Sequence, residues 1–439
     1  MASDATTCST KETSWLYRPV FPESWEPHVL YSLATWINGM AFKNINFSPT
    51  GRPVIKIAEI KGGITAQTQF TDSEYDKRYF ITQGDMLFSW SGQPETSIDA
   101  FYWDGPDGWL NQHVFKVLPN DDSCTPSFLF YILKYLKPNF IGIARNKQTT
   151  GLGHVTKADM QAIQVAVPDR PTQDRITCVL GKLDARIAVN LRMNRILEKM
   201  AGAIFKSWFI DFDPVHAKAE GRDTGLPAEI DDLFPDSFEE SELGPIPKGW
   251  KLSKIGEHML NYDSKRIPVS GAERAKRRGP YPYHGAAAVM DHVDDYLFDG
   301  IFLLVGEDGS VVQGNGLAVT QYVWGRIWVN NHAHVLQGKG PVSTEQLFLY
   351  FCFEPVAPYV TGAVQPKLSQ GRMNQMPFVF PRQDVCVTFA ETIGPIFAKL
   401  RANADQIKTL SVIRDTLLPK LMSGEIELPD AEAKTEEVL

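Results

Sequence analysis

Trp328-Val329-Asn330-Asn331-His332 repeats, 219 residues later, the pattern of Trp109-Leu110-Asn111-Gln112-His113. In the first half the pattern is followed by Thr150-Gly151 and then by Val165-Ala166-Val167-Pro168. In the second it is followed by Thr361-Gly362 and Phe378-Val379-Phe380-Pro381, at offsets of 211 and 213 residues. Order and spacing agree to within small insertions, so one architecture occurs twice in the chain. Upstream of each copy an apolar run follows a turn, Gly84-Asp85-Met86-Leu87-Phe88 and Gly300-Ile301-Phe302-Leu303-Leu304, and reads as a strand.

A long helix is expected after each closing proline. From about Thr172 to Phe209, the seam Ile176, Leu180, Leu183, Ile187, Asn190, Asn194, Leu197, Ala201, Ile204 and Trp208 advances in steps of four and three. That is the heptad pattern of paired helices. From about Phe389 to Leu421, Ile393, Ile396, Leu400, Asn403, Ile407, Leu410, Leu417 and Leu421 share one face, with Pro395 near the expected start. Asn190, Asn194 and Asn403 inside the seams suit a polar layer that fixes the register of the pair. The fold class expected is α+β: two strand-rich domains in a pseudo-twofold repeat, bridged by a long antiparallel helix pair, a coiled coil. The expected boundaries are a disordered tail at 1–14, a first domain at 15–170 and its helix at 171–209. An acidic connector at 210–247, a second domain at 248–382, a second helix at 383–423 and an acidic tail at 424–439 complete the chain.

With 439 residues, 43% of them hydrophobic, the chain exceeds a single core. Its five cysteines are scattered without a CxxC pair, which suits reduced thiols in a cytoplasm. The polar N-terminus has no apolar run of a signal peptide, and no eighteen apolar residues run together, so no membrane is expected. The net charge of −8 is segregated. Residues 211–244 carry −9 and residues 425–439 carry −5, leaving the remainder at +6, a balance compatible with a polyanionic partner.

Phe205-Lys206-Ser207-Trp208-Phe209-Ile210-Asp211-Phe212-Asp213-Pro214-Val215, then Gly225-Leu226-Pro227, Phe234-Pro235-Asp236-Ser237-Phe238 and Ile246-Pro247-Lys248-Gly249-Trp250, follow in that order. With the ending Leu417-Leu418-Pro419-Lys420-Leu421-Met422-Ser423-Gly424-Glu425-Ile426, they resemble the specificity subunits of type I restriction-modification systems. The resemblance implies two target-recognition domains, each reading one half of a split site in double-stranded DNA, held apart by two antiparallel helices. It also implies two methylation subunits docked on those helices, and restriction subunits that translocate and cleave. S-adenosylmethionine, ATP and Mg would belong to these partners, with no cofactor in this chain. The family's Pro-Pro-Leu-x-Glu-Gln opening of the first helix is here Pro168-Asp169-Arg170-Pro171-Thr172-Gln173, which keeps the glutamine and offers Thr172 as N-cap.

An enzyme reading lacks its motifs: there is no Asn/Asp-Pro-Pro-Tyr/Phe string and no phosphate loop. Gly306-Glu307-Asp308-Gly309-Ser310 reads as a hairpin turn. Pro429-Asp430 with Glu432 and Lys434 reads as part of a solvated tail. His113 and His332 have no neighbouring metal ligands in sequence. No residue is therefore singled out as catalytic or as a metal ligand. A self-contained methyltransferase or nuclease, and a scaffold that does not bind DNA, are the alternatives.

Residues shared by both repeats suit scaffold, and readers are expected where the halves differ. In the first domain that selects Arg145, Lys147, Gln148, Thr149 and His154, where cations and amides mix with glycines. In the second it selects Gln365, Lys367 and Arg372, and the basic run Lys265, Arg266, Arg274, Lys276, Arg277 and Arg278 for phosphate contact.

Overall fold

The computed structural model describes residues 19–120, 123–148, 151–362 and 364–439; the tail expected at 1–14 lies outside them. Two compact units form. The first combines the described residues up to Ala188 with Lys408–Leu439, and the second is Val189–Ile407. Both divisions fall inside long helices, Arg170–Phe209 and Gln383–Ser423, so each unit owns a stretch of each helix.

The same strand order is built twice. In the first unit Ala34–Asn38, Val114–Pro119, Met86–Ser89 and Asp99–Tyr102 are neighbours in that order, all antiparallel. In the second, Met259–Asn261, Ala333–Gly338, Phe298–Gly306 and Thr320–Val329 repeat it, and the sheet continues through Arg278–His284 and Val289–Val293. A short antiparallel pair closes each repeat by joining its beginning to its end. Glu26–Val29 lies on Gln164–Val167, and Lys251–Lys254 on Pro377–Phe380. Helix starts correspond as well: Thr125 caps Pro126–Tyr135 through Phe128 N–H (3.0 Å), and Ser343 caps Thr344–Phe353 through Gln346 N–H (3.0 Å).

The first long helix begins at Arg170, a turn's fraction earlier than expected, and Thr172 is not its cap. Asp169 accepts the Thr172 N–H at 3.3 Å, leaving Thr172 inside the first turn. The retained glutamine, Gln173, is 1% exposed. It accepts Thr125 N–H at 2.8 Å and donates to Ser123 and Pro168 carbonyls, both at 2.9 Å, so it fastens the helix to the neighbouring cap. The second long helix starts at Gln383, ahead of the apolar face expected from Phe389, because Val385, Cys386 and Phe389 are buried in the core of its unit. Pro395 therefore lies well inside the helix instead of near its start. One turn before it, Thr392 Oγ donates to the Thr388 carbonyl at 2.7 Å.

The long helices run antiparallel in the second unit, where partners descend along one as they rise along the other. Asn190 donates to Gln406 (2.8 Å), Asn194 to the Leu400 carbonyl (3.2 Å), and Asn403 to Asn194 Oδ1 (2.9 Å). In the first unit Arg414 pairs with Asp184 at 2.8 Å, and Asp184 also receives the Tyr131 hydroxyl at 2.7 Å.

The aromatic string ending the first helix is packing material. Phe209 meets Phe389 edge-on at 4.7 Å, Trp208 meets Phe234 at 5.1 Å, and Phe212 meets Trp250 at 5.7 Å. Phe212 holds a left-handed backbone (φ 52°), which turns the chain from that helix into Asp213–Ala219. The acidic C-terminus is not a solvated tail. Leu428–Glu436 is a helix with Ala431 and Thr435 buried, and Glu432 binds Arg175 through two bonds of 3.0 Å.

Asn403 is 2% exposed, which makes its amide testable. Asn403→Asp should lower the stability of the second unit by about 3 kcal/mol or more at neutral pH, since a buried carboxylate would face Asn194 Oδ1 without compensation. Burial raises the folded pKa of that new acid, so the loss should shrink as pH falls through it and the neutral form donates again. Asn403→Leu should stay within about 1 kcal/mol, because half-exposed Asn194 can turn to water. Urea unfolding at acidic and neutral pH checks this; equal losses for both variants would contradict it.

Candidate nucleic-acid interface

One backbone arrangement recurs above the central sheet of each unit. In the first, Trp90 follows the strand Met86–Ser89; its N–H donates to the His113 carbonyl (3.3 Å) and its carbonyl accepts Val155 N–H (2.8 Å). In the second, Glu307 follows Phe298–Gly306; its N–H donates to the His332 carbonyl (2.8 Å) and its carbonyl accepts Leu368 N–H (2.8 Å). The repeated tryptophans and asparagines lie beneath. Trp109 pairs with Val54 and Trp328 with Tyr283 in matching parallel ladders. Asn111 N–H donates to the Ile55 carbonyl and Asn330 N–H to the His284 carbonyl, both at 3.0 Å. These four residues are buried and serve as scaffold. The repeated histidines do not follow them: His113 and His332 are exposed, and His332 pairs with Asp308.

The side chains at this common node differ in chemistry. Trp90 donates its indole N–H to Asn38 (3.0 Å) and lies 5.7 Å from the His113 ring and 5.8 Å from Phe115. Glu307 binds Arg266 (2.8 Å) and Lys367 (3.3 Å). Beside it His334, 1% exposed at its side chain, lies between Asp263 (2.5 Å) and the Leu368 carbonyl (2.8 Å). Burial pushes the Asp263 carboxyl upward, but hydrogen bonds from His334, Val335 N–H and Asn261 outweigh it and hold it below the usual range. Ligand-type atoms of Asp263, Glu307 and His334 lie within 4.8 Å of one another. Arg266 bonds to both carboxylates, at 3.5 and 2.8 Å, and already supplies the countercharge that a cation would bring. The turn read from Gly306–Ser310 is thus where an ion-pair network gathers.

The first-domain candidates surround the Trp90 node. Gly153–His154 pairs with Ser91–Gly92, leaving His154 half-buried. The close approach of Gly153 is to the protein itself, since a Cβ there would lie 2.3 Å from the Ala144 carbonyl. Arg145 pairs with Glu95 (2.6 Å), Lys147 with Asp159 (2.6 Å), and Gln148 donates to the Gly151 carbonyl (2.7 Å). Thr149 lies outside the described residues.

In the second unit Gln365, Lys367 and Arg372 are exposed, and Lys367 reaches the Glu307 node. The basic run divides. Lys265 and Lys276 are exposed, and Arg278 pairs with Asp291 yet keeps a side chain 67% exposed. Arg277 binds Asp294 (3.0 Å) over the Trp328 ring. Arg266 and Arg274 are turned inward, a correction to their expected phosphate role. Arg266 serves Glu307 and the Ala333 carbonyl (2.6 Å), and Arg274 serves Asp291 and the Val269 carbonyl (2.6 Å). Glu307 and Ala333 lie distant from Arg266 in sequence, and Asp291 lies across a strand pair from Arg274, so cation density alone did not separate them from the exposed members. Trp90 and Glu307 were not singled out from sequence. Their signal is the repeat itself, since each stands one residue after the matching strand.

Residues 22–199 match the family model described as the type I restriction modification DNA specificity domain. The chain is 24% identical over 412 residues to the specificity subunit of the type I restriction enzyme HindI of Haemophilus influenzae, covering 79% of this chain and 87% of that one. It is 25% identical over 339 residues to the MjaIX specificity subunit of Methanocaldococcus jannaschii, covering 73% of each. The fold is similar to the crystal structure of a type I S subunit from M. genitalium, with a TM-score of 0.51 and 16% identity, covering 92% of this chain and 99% of that one. Residues 22–199 thus resemble a type I DNA specificity domain, and over most of its length the chain is similar to specificity subunits of type I restriction enzymes.

Proposed function

We propose that each unit reads one half of a bipartite site in double-stranded DNA and that catalysis resides in partner subunits. The observation that carries this reading is the shared node: matching backbone hydrogen bonds present Trp90 in one unit, and Glu307 with Lys367 in the other. A common frame with different side chains is what two readers of different sequences require.

A second feature supports docking of methylation subunits on the first long helix. Val189, Met193, Ile196 and Met200 are 40–49% exposed and stand four, three and four residues apart. They form an apolar heptad stripe in water, a surface suited to further helices. Two methylation subunits and the restriction subunits are the proposed partners, supplying S-adenosylmethionine, ATP and Mg. Among the described residues no helix is long and apolar enough to cross a membrane, and a cytoplasmic location is proposed with the complex.

Two tests follow. Replacing residues 20–165 with the matching domain of a relative should change one half of the methylated sequence and leave the other, as read by methylome sequencing of a host that also expresses the methylation subunit. A change in both halves, or in neither, would sink the division of labour. Second, Lys276→Ala with Arg278→Ala should weaken binding to every duplex and lower the salt slope by about 0.9 for each phosphate that is no longer neutralised. Binding measured across a salt series decides it; altered base preference with retained affinity would make these residues readers.

A further inference from the structure

We infer that Lys367 reads a guanine edge in the half-site of the second unit, and that Glu307 and His334 are the positioning residues that hold it for that task. The inference rests on the DNA-reading role proposed above. Most surface lysines are flexible point charges, suited to phosphates along any sequence. Lys367 is held otherwise. Its backbone exchanges two hydrogen bonds with Thr361, at 2.7 and 2.9 Å. The next residue, Leu368, is 0% exposed; its N–H is taken by the Glu307 carbonyl and its carbonyl by His334 Nε2, both at 2.8 Å. The His334 ring is held from its other side by Asp263, 2.5 Å from Nδ1. The Lys367 ammonium then meets Glu307 Oε1 at 3.3 Å, while half of its side chain (51%) faces solvent.

Glu307 is itself fixed by Arg266 and only 15% of its side chain is exposed. The result is an exposed ammonium with a set direction, standing at the node where the two units diverge. Its counterpart in the first unit, by the same backbone bonds, is His154 beside Trp90, with no carboxylate at that node position. A directed donor matches the paired N7 and O6 acceptors of guanine in the major groove.

The experiment uses the chain in complex with its methylation subunits and duplexes carrying the sequence that the complex methylates. Each G·C pair of the second unit's half-site is replaced in turn by A·T. The unaltered complex should lose about 5- to 150-fold affinity at one guanine. Lys367→Met should abolish discrimination at that position alone. Glu307→Gln should reduce it, Glu307→Asp should restore it, and Glu307→Gln combined with Lys367→Met should be no worse than Lys367→Met. Thermal unfolding and binding to the first unit's half-site report on folding of each variant. Full discrimination by Glu307→Gln, with discrimination abolished in Lys367→Met, overturns the positioning role alone. A uniform loss on every duplex in Lys367→Met, with a salt slope lower by about one, makes Lys367 a phosphate contact and overturns its reading role. No effect of Lys367→Met on any duplex overturns the inference, while the half-site reading of the second unit stands or falls on the domain exchange described above.

Discussion

The apolar seam of the long helices is the constraint from which the rest of this structure follows. A single helix exposes its stripe on every turn, and the stripe must be covered by something else. In the first unit Ile176, Leu180, Leu183 and Ile187 are buried with Leu410, Leu417 and Leu421; in the second, Ala201, Phe205 and Trp208 are buried with Phe389, Ile393 and Phe397. Each compact unit is therefore discontinuous or open-ended in sequence, built from a strand-rich body and a stretch of both helices. Local propensity alone would leave either helix marginal, and packing makes it persist.

That dependence explains which long motifs carry packing and which positions are left for recognition. The string from Phe205 to Val215 places Phe205, Trp208, Phe209 and Phe212 against Phe353, Phe389, Phe234 and Trp250, so its length reflects an aromatic lock. Where the first helix faces solvent the stripe of Val189, Met193, Ile196 and Met200 stays open to water. The strand-rich bodies show the same separation of duties. Trp109, Asn111, Trp328 and Asn330 are spent on ladder and turn contacts, while the residue one step beyond each central strand is free to differ.

Charge in this molecule is informative only once its partners are known. Six basic residues within fourteen positions look equivalent in sequence. Asp263, Glu307 and Asp291 draw Arg266 and Arg274 inward, and the side chains that remain in water are Lys265, Lys276 and Arg278. A guanidinium with five donors is well suited to such internal bridging, which is why both inward members are arginines. The acidic C-terminus shows the converse. Its charges would suggest a solvated tail, yet Ala431 and Thr435 give it a buried face and Arg175 answers Glu432.

The sequence by itself determined the duplication, the α+β class and both long helices, because hydrophobic period and repeat spacing are local properties that packing had only to agree with. It also marked Trp109, Asn111, His113, Trp328, Asn330 and His332 as scaffold, since residues kept in both copies serve what both copies share; the tryptophans and asparagines are buried, whereas both histidines are exposed. It placed the first apolar turn of the second helix at Phe389 and Pro395 near that start, because the helix's opening turns are held by tertiary burial of Val385 and Cys386. It passed over Trp90 and His334, and placed Glu307 only as part of a hairpin turn. Their significance lies in hydrogen bonds and ion pairs to residues 23 to 71 positions away, and nothing in the neighbouring sequence encodes such contacts. Only the folded chain brings Lys367 to Glu307 and Leu368 to His334, since a pairing across a sheet is set by the register of whole strands.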